Sequence, residues 1–272
     1  AIVAPVAKRH NGAMIPIRDD NPQLRTPVVT YAVIGLNVFA WALLQGFGFD
    51  PDLSRSVCQL GVIPGDLLGE LSQASRYPRL PCPVDGQGNW LTVFTSIFMH
   101  GSWMHIIGNM WFMWIFGNNV EDAMGPVRFA VFYLLCGVAA VAAQVISDSG
   151  SLVPMVGASG AIGGVMGAYI VLYPRVHVHM LLILGFFVTT IVVPAILMLG
   201  YWIVLQFIGV LSGGGGGVAF WAHIGGFVAG AALIFVFKDR AMLDAHPYHG
   251  WHQKRHGSTL WRKAPRRRGP WT

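Results

Sequence analysis

Four residues of this 272-residue chain have the types and spacing for acyl-transfer chemistry: His105, Asn109, Ser159 and His223. A serine hydroxyl is a weak nucleophile until a base accepts its proton. An imidazole is suited to that task near neutral pH. Ser159 opens a glycine-rich apolar segment, and Ser159, Gly163 and Gly167 recur at i, i+4 and i+8. His223, Gly226 and Gly230 recur at i, i+3 and i+7, so each set shares one helical face. Gly160-x-x-x-Gly164 also lines the helix that Ser159 opens. Small residues at this spacing let helices approach closely. Packing the two glycine faces together brings Ser159 and His223 to one end of the seam.

Acyl transfer also needs donors for the developing oxyanion. His105 and Asn109, at i and i+4, project from one face of another helix. The Ser159 backbone N–H, at an unsatisfied helix N-terminus, is a further donor. Asp and Glu are absent from the apolar segments, so no carboxylate is at hand to orient the imidazole as in a triad. Chemistry at this site takes the form of a Ser–His dyad. The alternative for each histidine is a packing role with a satisfied ring. Gln144, Thr189, Thr190 and Gln206 also fall in apolar segments and read as helix–helix glue.

The elements that must position these residues are written in the composition. The chain is 54% hydrophobic and 11% charged, with a mean hydropathy of +0.55. Average soluble proteins carry about 25% charged residues. The deficit excludes a disordered chain and argues against an ordinary water-soluble domain. Five stretches lack Asp, Glu, Lys and Arg: 28–49, 86–120, 129–147, 149–174 and 176–237. A membrane-spanning helix needs about 20 mostly apolar residues. The expected fold is an all-α polytopic membrane protein with six helices, at about 28–47, 92–116, 127–146, 157–173, 188–211 and 218–238. The run Ser212 to Gly217 breaks the last stretch, and residues 176–187 either extend the fifth helix or lie along the interface.

Charge sets the orientation. Residues 1–27 carry four basic against two acidic side chains, and residues 238–272 carry nine against two. The middle holds five against eight, so the net +6 comes from the two ends. The positive-inside rule places both termini in the cytoplasm, in agreement with an even number of spans. Residues 1–27 lack an apolar core, so the first helix is expected to serve as the anchor rather than a cleaved signal. A first residue other than methionine fits a trimmed chain. With this topology His105, Asn109, Ser159 and His223 share one outer layer, His223 lying about 8 Å below the start of its helix at 1.5 Å per residue. The loop 48–91 lies outside, where a Cys58–Cys82 disulfide is compatible with an oxidising compartment. Cys136, within the third helix, reads as packing. Residues 239–272 form a basic cytoplasmic tail with Arg266, Arg267 and Arg268 near its end and Trp251, Trp261 and Trp271 interleaved. It is either a solvated tail or a patch for anionic lipid headgroups. No nucleic-acid partner is expected.

The motifs resemble a known family. Gly157-Ala158-Ser159-Gly160 is similar to the GxSG motif of bacterial rhomboid intramembrane serine proteases. His105 to Asn109 is similar to their HxxxN motif, Ala222 to Gly226 to their AHxxG motif, and Gly117 to Glu121 resembles their GxxxE pattern. The resemblance covers roughly residues 28–238, leaving 1–27 and 239–272 as cytoplasmic flanks. It implies a six-helix membrane domain in the bacterial inner membrane, with Ser159 as nucleophile and His223 as general base. His105, Asn109 and the Ser159 N–H form the oxyanion hole by the same resemblance. It implies substrates that are transmembrane proteins, no cofactor and no metal, and a fifth helix and following loop that act as gate and cap.

Three positions depart from the pattern. Gly163 stands where some members have an aromatic residue stacked on the histidine, so another group must hold His223. Asn89-Trp90-Leu91-Thr92 lacks the arginine of the family's outer-loop Trp-Arg motif, and Ser96 stands where some members have a histidine. Two alternatives remain beside the protease. One is an inactive rhomboid-like protein that binds transmembrane clients. The other is a b-type haem protein using His100, His105, His177, His179 and His223, which requires histidines on facing helices at matched depth.

Overall fold

A computed structural model describes residues 13–71, 80–213, 217–244 and 246. Its long helices are α1 (Val28–Leu43), α5 (Trp103–Asp122), α6 (Pro126–Ser147), α7 (Ser159–Leu172), α8 (Ala195–Leu211) and α9 (Phe220–Phe237). Short helices α2 (Asp52–Leu60), α3 (Pro64–Leu68) and α4 (Thr92–Thr95) lie between α1 and α5, and α10 (Arg240–Asp244) follows α9. By length and composition α6 and α9 suffice to cross a membrane, while α1, α7 and α8 are shorter apolar helices. The outward faces expose Phe39, Leu43, Ile146, Leu211 and Val236. Apolar surface on this scale suits hydrocarbon rather than water.

Two helix boundaries differ from the sequence expectation. The second helix was expected from 92, but residues 92–98 form short helical turns and α5 starts at Trp103. The cause is local: the Ser102 side chain accepts the His105 N–H and caps the helix there. At its far end α5 continues to Asp122 and so carries two acids. Glu121 is about 24 Å from His105 along the axis at 1.5 Å per residue, so it plays no part near the histidine. The Glu121 carboxylate accepts the Val29 and Thr30 N–H groups and the Thr30 hydroxyl, at 2.8–2.9 Å. Pro27 offers α1 no side-chain cap, and an anion at a helix N-terminus serves in its place. Asp122 likewise accepts the Leu24 and Arg25 N–H groups. The GxxxE-like stretch is therefore a clasp between α5 and α1.

The all-α expectation needs correction. Strands β1 (Ala13–Asp19), β2 (His177–Leu184) and β3 (Phe187–Pro194) form an antiparallel sheet in the order β1-β2-β3. The segment expected to begin the fifth helix at 188 is β3, with Thr189 and Thr190 on it, and α8 starts only after Pro194. β2 and β3 form a hairpin around Gly185 and Phe186, with Gly185 at φ +62°. A short apolar run does not by itself distinguish strand from helix, and the β-branched FVTTIVVP decides for strand here. The sheet lies at the end of α7 opposite Ser159, tied down by the Trp111 indole N–H donating to the Pro16 carbonyl at 2.6 Å.

α7 is buried along most of its length and packs against α6 and α9. A Cβ on Gly226 would collide with the Gly160 carbonyl, and one on Gly230 with the Gly164 carbonyl. The expected glycine seam therefore forms, with Gly160 and Gly164 as its closest points. On the other side Gly164 faces Cys136, which is a buried free thiol in a packing role. Cys58 and Cys82 are joined in a disulfide. The tail beyond residue 246, with its three arginines and three tryptophans, lies outside the described residues, as does part of the Ser212–Gly217 loop.

Candidate active site

Ser159 is the first residue of α7, and the chain enters it through Gly157 at φ +131°, a conformation side-chain-bearing residues rarely adopt. The Gly157 N–H donates to the Ser96 carbonyl at 2.9 Å, and Val62 bridges Met155, so the segments carrying Val62 and Ser96 fix this approach. A Cβ at Gly157 would lie 2.6 Å from His105 Nε2 and 3.5 Å from Ser159 Oγ. Glycine is thus needed for both conformation and space, and its bare backbone lets His105 stand beside the serine.

The α7–α9 seam brings His223 Nε2 to 2.8 Å from Ser159 Oγ. The other ring nitrogen, Nδ1, is 2.8 Å from Gln206 Oε1 on α8. The Gln206 amide N–H donates to the Trp202 carbonyl at 3.0 Å, which turns its oxygen toward the imidazole. That oxygen only accepts, so the proton of a neutral ring sits on Nδ1. Nε2 keeps its lone pair for the serine hydroxyl. The Trp202 ring flanks His223 with 5.6 Å between centroids and 38° between planes.

His105 Nδ1 accepts the Gly101 N–H at 3.4 Å, which leaves the proton on Nε2, the nitrogen beside Gly157 and Ser159. Asn109 is buried, and its Nδ2 has no hydrogen-bond partner among the described residues. Buried donors are rarely left unpaired. His105, Asn109, Ser159 and His223 all line one cavity of about 930 Å³. The four residues singled out in the sequence are thus brought together around one cavity, with the hydroxyl–imidazole pair in hydrogen-bonding contact.

Gln206, expected as helix–helix glue, faces His223 instead, and Trp202 is a further neighbour that no sequence motif marks. A signal was present: Gln206 is the only amide or charged side chain in α8, and a polar group at such depth calls for a partner. Gln45, also unmarked by any motif, brackets His100 by accepting its N–H at 2.8 Å and donating to its carbonyl at 2.7 Å. The buried His100 ring packs edge-on to His105, with centroids 5.1 Å apart. The haem arrangement is not formed by the remaining histidines. His177 and His179 lie on β2 rather than on a helix, and His179 Nε2 pairs with Asp20 at 2.8 Å. Trp90, from the Asn89–Thr92 stretch, is exposed.

The family model described as Rhomboid domain matches residues 87–240. Among known proteins, the chain is 35% identical over 207 residues to "Rhomboid protease GluP" of Bacillus subtilis (strain 168), covering 76% of this chain and 35% of that protein. It is 28% identical over 176 residues to "RHOMBOID-like protein 4" of Arabidopsis thaliana, covering 64% and 39%. To "RHOMBOID-like protein 6, mitochondrial" of the same plant it is 28% identical over 190 residues, covering 69% and 54%. The chain thus spans between about a third and a half of the length of these relatives.

Proposed function

The chain belongs to the rhomboid family of helical, polytopic membrane proteins, and from that membership we propose that it is an intramembrane serine protease acting through a Ser159–His223 dyad. The observation that carries the reading is the 2.8 Å contact between Ser159 Oγ and the lone-pair nitrogen of His223. In this reaction Ser159 Oγ attacks the scissile carbonyl carbon while His223 Nε2 takes its proton. The oxyanion is met by Asn109 Nδ2, His105 Nε2–H and the Ser159 backbone N–H. His223 then hands the proton to the leaving amine. The C–N bond breaks as the amine leaves; water, giving a proton to His223 Nε2, then adds to the acyl carbon, and His223 returns that proton to Ser159 Oγ as the ester bond breaks and the acid is released.

The cavity opens among helices clad in apolar side chains, which supports substrates that are themselves transmembrane proteins, cut in or near their spans. α1, α5, α6, α7, α8 and α9 are the six spans of a membrane domain covering residues 28–238, flanked by cytoplasmic residues 1–27 and 239–272. Both basic ends lie on the cytoplasmic face of a bacterial inner membrane. The Cys58–Cys82 disulfide supports an oxidising outer side for the loop that carries it.

The test is cleavage of a model transmembrane substrate by the full chain in proteoliposomes, comparing wild type with Ser159→Ala and His223→Ala. Loss of cleavage in both variants is expected, together with fluorophosphonate labelling of wild type but not of Ser159→Ala. Cleavage by Ser159→Ala at the wild-type rate would overturn the assignment.

A further inference from the structure

A dyad without a carboxylate leaves one nitrogen of its imidazole to be satisfied by something else. In water that partner is solvent, and the ring samples both neutral tautomers and many orientations. Only one tautomer serves the serine, because a ring with its proton on Nε2 has no lone pair to accept from Ser159 Oγ. The cost of the wrong tautomer in a serine hydrolase is large, as the loss of orienting carboxylates in other enzymes shows.

We propose that Gln206, carried by α8, is a positioning residue that fixes the tautomer and ring plane of His223. This rests on the serine-protease reading above. Three observations support it. Gln206 is buried, and its Oε1 lies 2.8 Å from His223 Nδ1. Its own amide is held by the Trp202 carbonyl one helical turn earlier, so the oxygen cannot exchange places with the nitrogen without losing that bond. The Trp202 ring closes the flank of His223, and residue 163, opposite it, is a glycine whose added Cβ would stand 3.7 Å from that ring. A neutral amide thus does part of what a buried carboxylate does in a triad: it selects Nδ1–H and aims Nε2. It does so without placing a charge in the membrane, where ionised groups are costly.

The arrangement also ties the dyad to a third helix. Ser159 and His223 come from α7 and α9, whereas Gln206 and Trp202 both come from α8, much of whose surface is exposed. Any displacement of α8 that breaks the Gln206–His223 bond releases the imidazole.

The experiment uses the full chain in proteoliposomes with a transmembrane substrate. Gln206→Leu removes the acceptor at similar volume. Gln206→Glu keeps an oxygen for Nδ1–H, and in its neutral form a hydroxyl for the Trp202 carbonyl. For Gln206→Leu a fall in kcat of roughly 10–100-fold with KM changed less than about 2-fold is expected, since the lost interaction acts on the base rather than on substrate binding. Gln206→Glu should restore most of the rate. In 15N-histidine spectra, the His223 ring, identified by its absence from His223→Ala, should show protonated Nδ1 and bare Nε2 in wild type. It should show averaged or exchanged tautomers in Gln206→Leu. If Leu at this position unsettles the fold, Gln206→Met provides the same comparison. A wild-type rate in Gln206→Leu, with Ser159→Ala inactive, would overturn the positioning role and leave the protease intact. Cleavage that does not depend on Ser159 would overturn the protease, and the tautomer spectra would still decide whether Gln206 fixes His223.

Discussion

The Trp202 ring lies 5.6 Å from the His223 ring and borders the space above Gly163, so the imidazole is flanked from α8 rather than from α7. The sequence showed that the position four residues after Ser159 lacked an aromatic side chain. The structure shows the compensation: the ring is supplied by another helix, and a glycine at 163 leaves room for it. The same helix supplies the amide that faces His223 Nδ1.

This exchange predicts that restoring an aromatic residue at 163 is harmful. A Cβ there already lies 3.1 Å from the His223 carbonyl, and a ring would press on Trp202 and spread α7 from α9. Overpacking of this kind typically costs about 1–3 kcal/mol. Gly163→Phe should lower both melting temperature and cleavage rate. Melting scans and turnover assays on Gly163→Phe check this, and a variant as fast and as stable as wild type would refute the account of Trp202.

Asn109 should act on the transition state. Asn109 lines the cavity that Ser159 also lines, and its Nδ2 has no partner among the described residues, so the donor is expected to engage negative charge that develops on the substrate. Asn109→Ala should reduce kcat by about 10²–10³-fold. KM should change little. A KM rise with kcat unchanged would instead mark Asn109 as a uniform substrate contact.

The seam between α7 and α9 predicts a contrast among glycines. A methyl on Gly230 meets the backbone carbonyl of Gly164, which cannot yield unless the helices separate. Separation also draws His223 away from Ser159. A methyl on Gly35, by contrast, meets nothing within 4 Å. Gly230→Ala should therefore lose both thermal stability and fluorophosphonate labelling, while Gly35→Ala keeps both. Equal behaviour of the two variants would sever the link between the seam and the dyad.

How far the sequence could be read follows from the kind of signal each feature leaves. The Ser159, His223, His105 and Asn109 cluster was legible because glycine spacing encodes helix contact and charge-free runs encode depth. The sheet was not, because β2 and β3 sit in a long stretch without charges where hydrophobicity alone favours helix. Gln206 was visible but undervalued: an amide at depth has many bland explanations, and only the position of His223 across the α8–α9 contact selects among them. Glu121 was legible as part of a motif but not as the cap of α1, since its partners at Val29 and Thr30 are more than 90 residues away.

The sheet at the opposite end of the bundle carries a pH dependence of its own. Burial raises the Asp19 carboxyl to about 6, with Asp20 adding to the effect, while the Tyr169 hydroxyl donates to it and partly offsets the rise. Asn119 also donates to Asp19 at 3.0 Å, and His179 on β2 faces Asp20. A raised pKa means that the folded chain holds a proton that the unfolded chain has released, over the interval between the ordinary value near 3.8 and about 6. The contribution of Asp19 to stability is therefore greatest below that interval, falls as pH rises through it, and is flat above about 6. Asp19→Asn keeps an oxygen for Tyr169 and removes the ionisation. The melting temperature of Asp19→Asn relative to wild type, measured on the full chain in detergent, should become more favourable between pH 5 and pH 7.5, because only wild type acquires a buried charge over that range. A constant difference across the range would show that Asp19 ionises in the fold as it does in water.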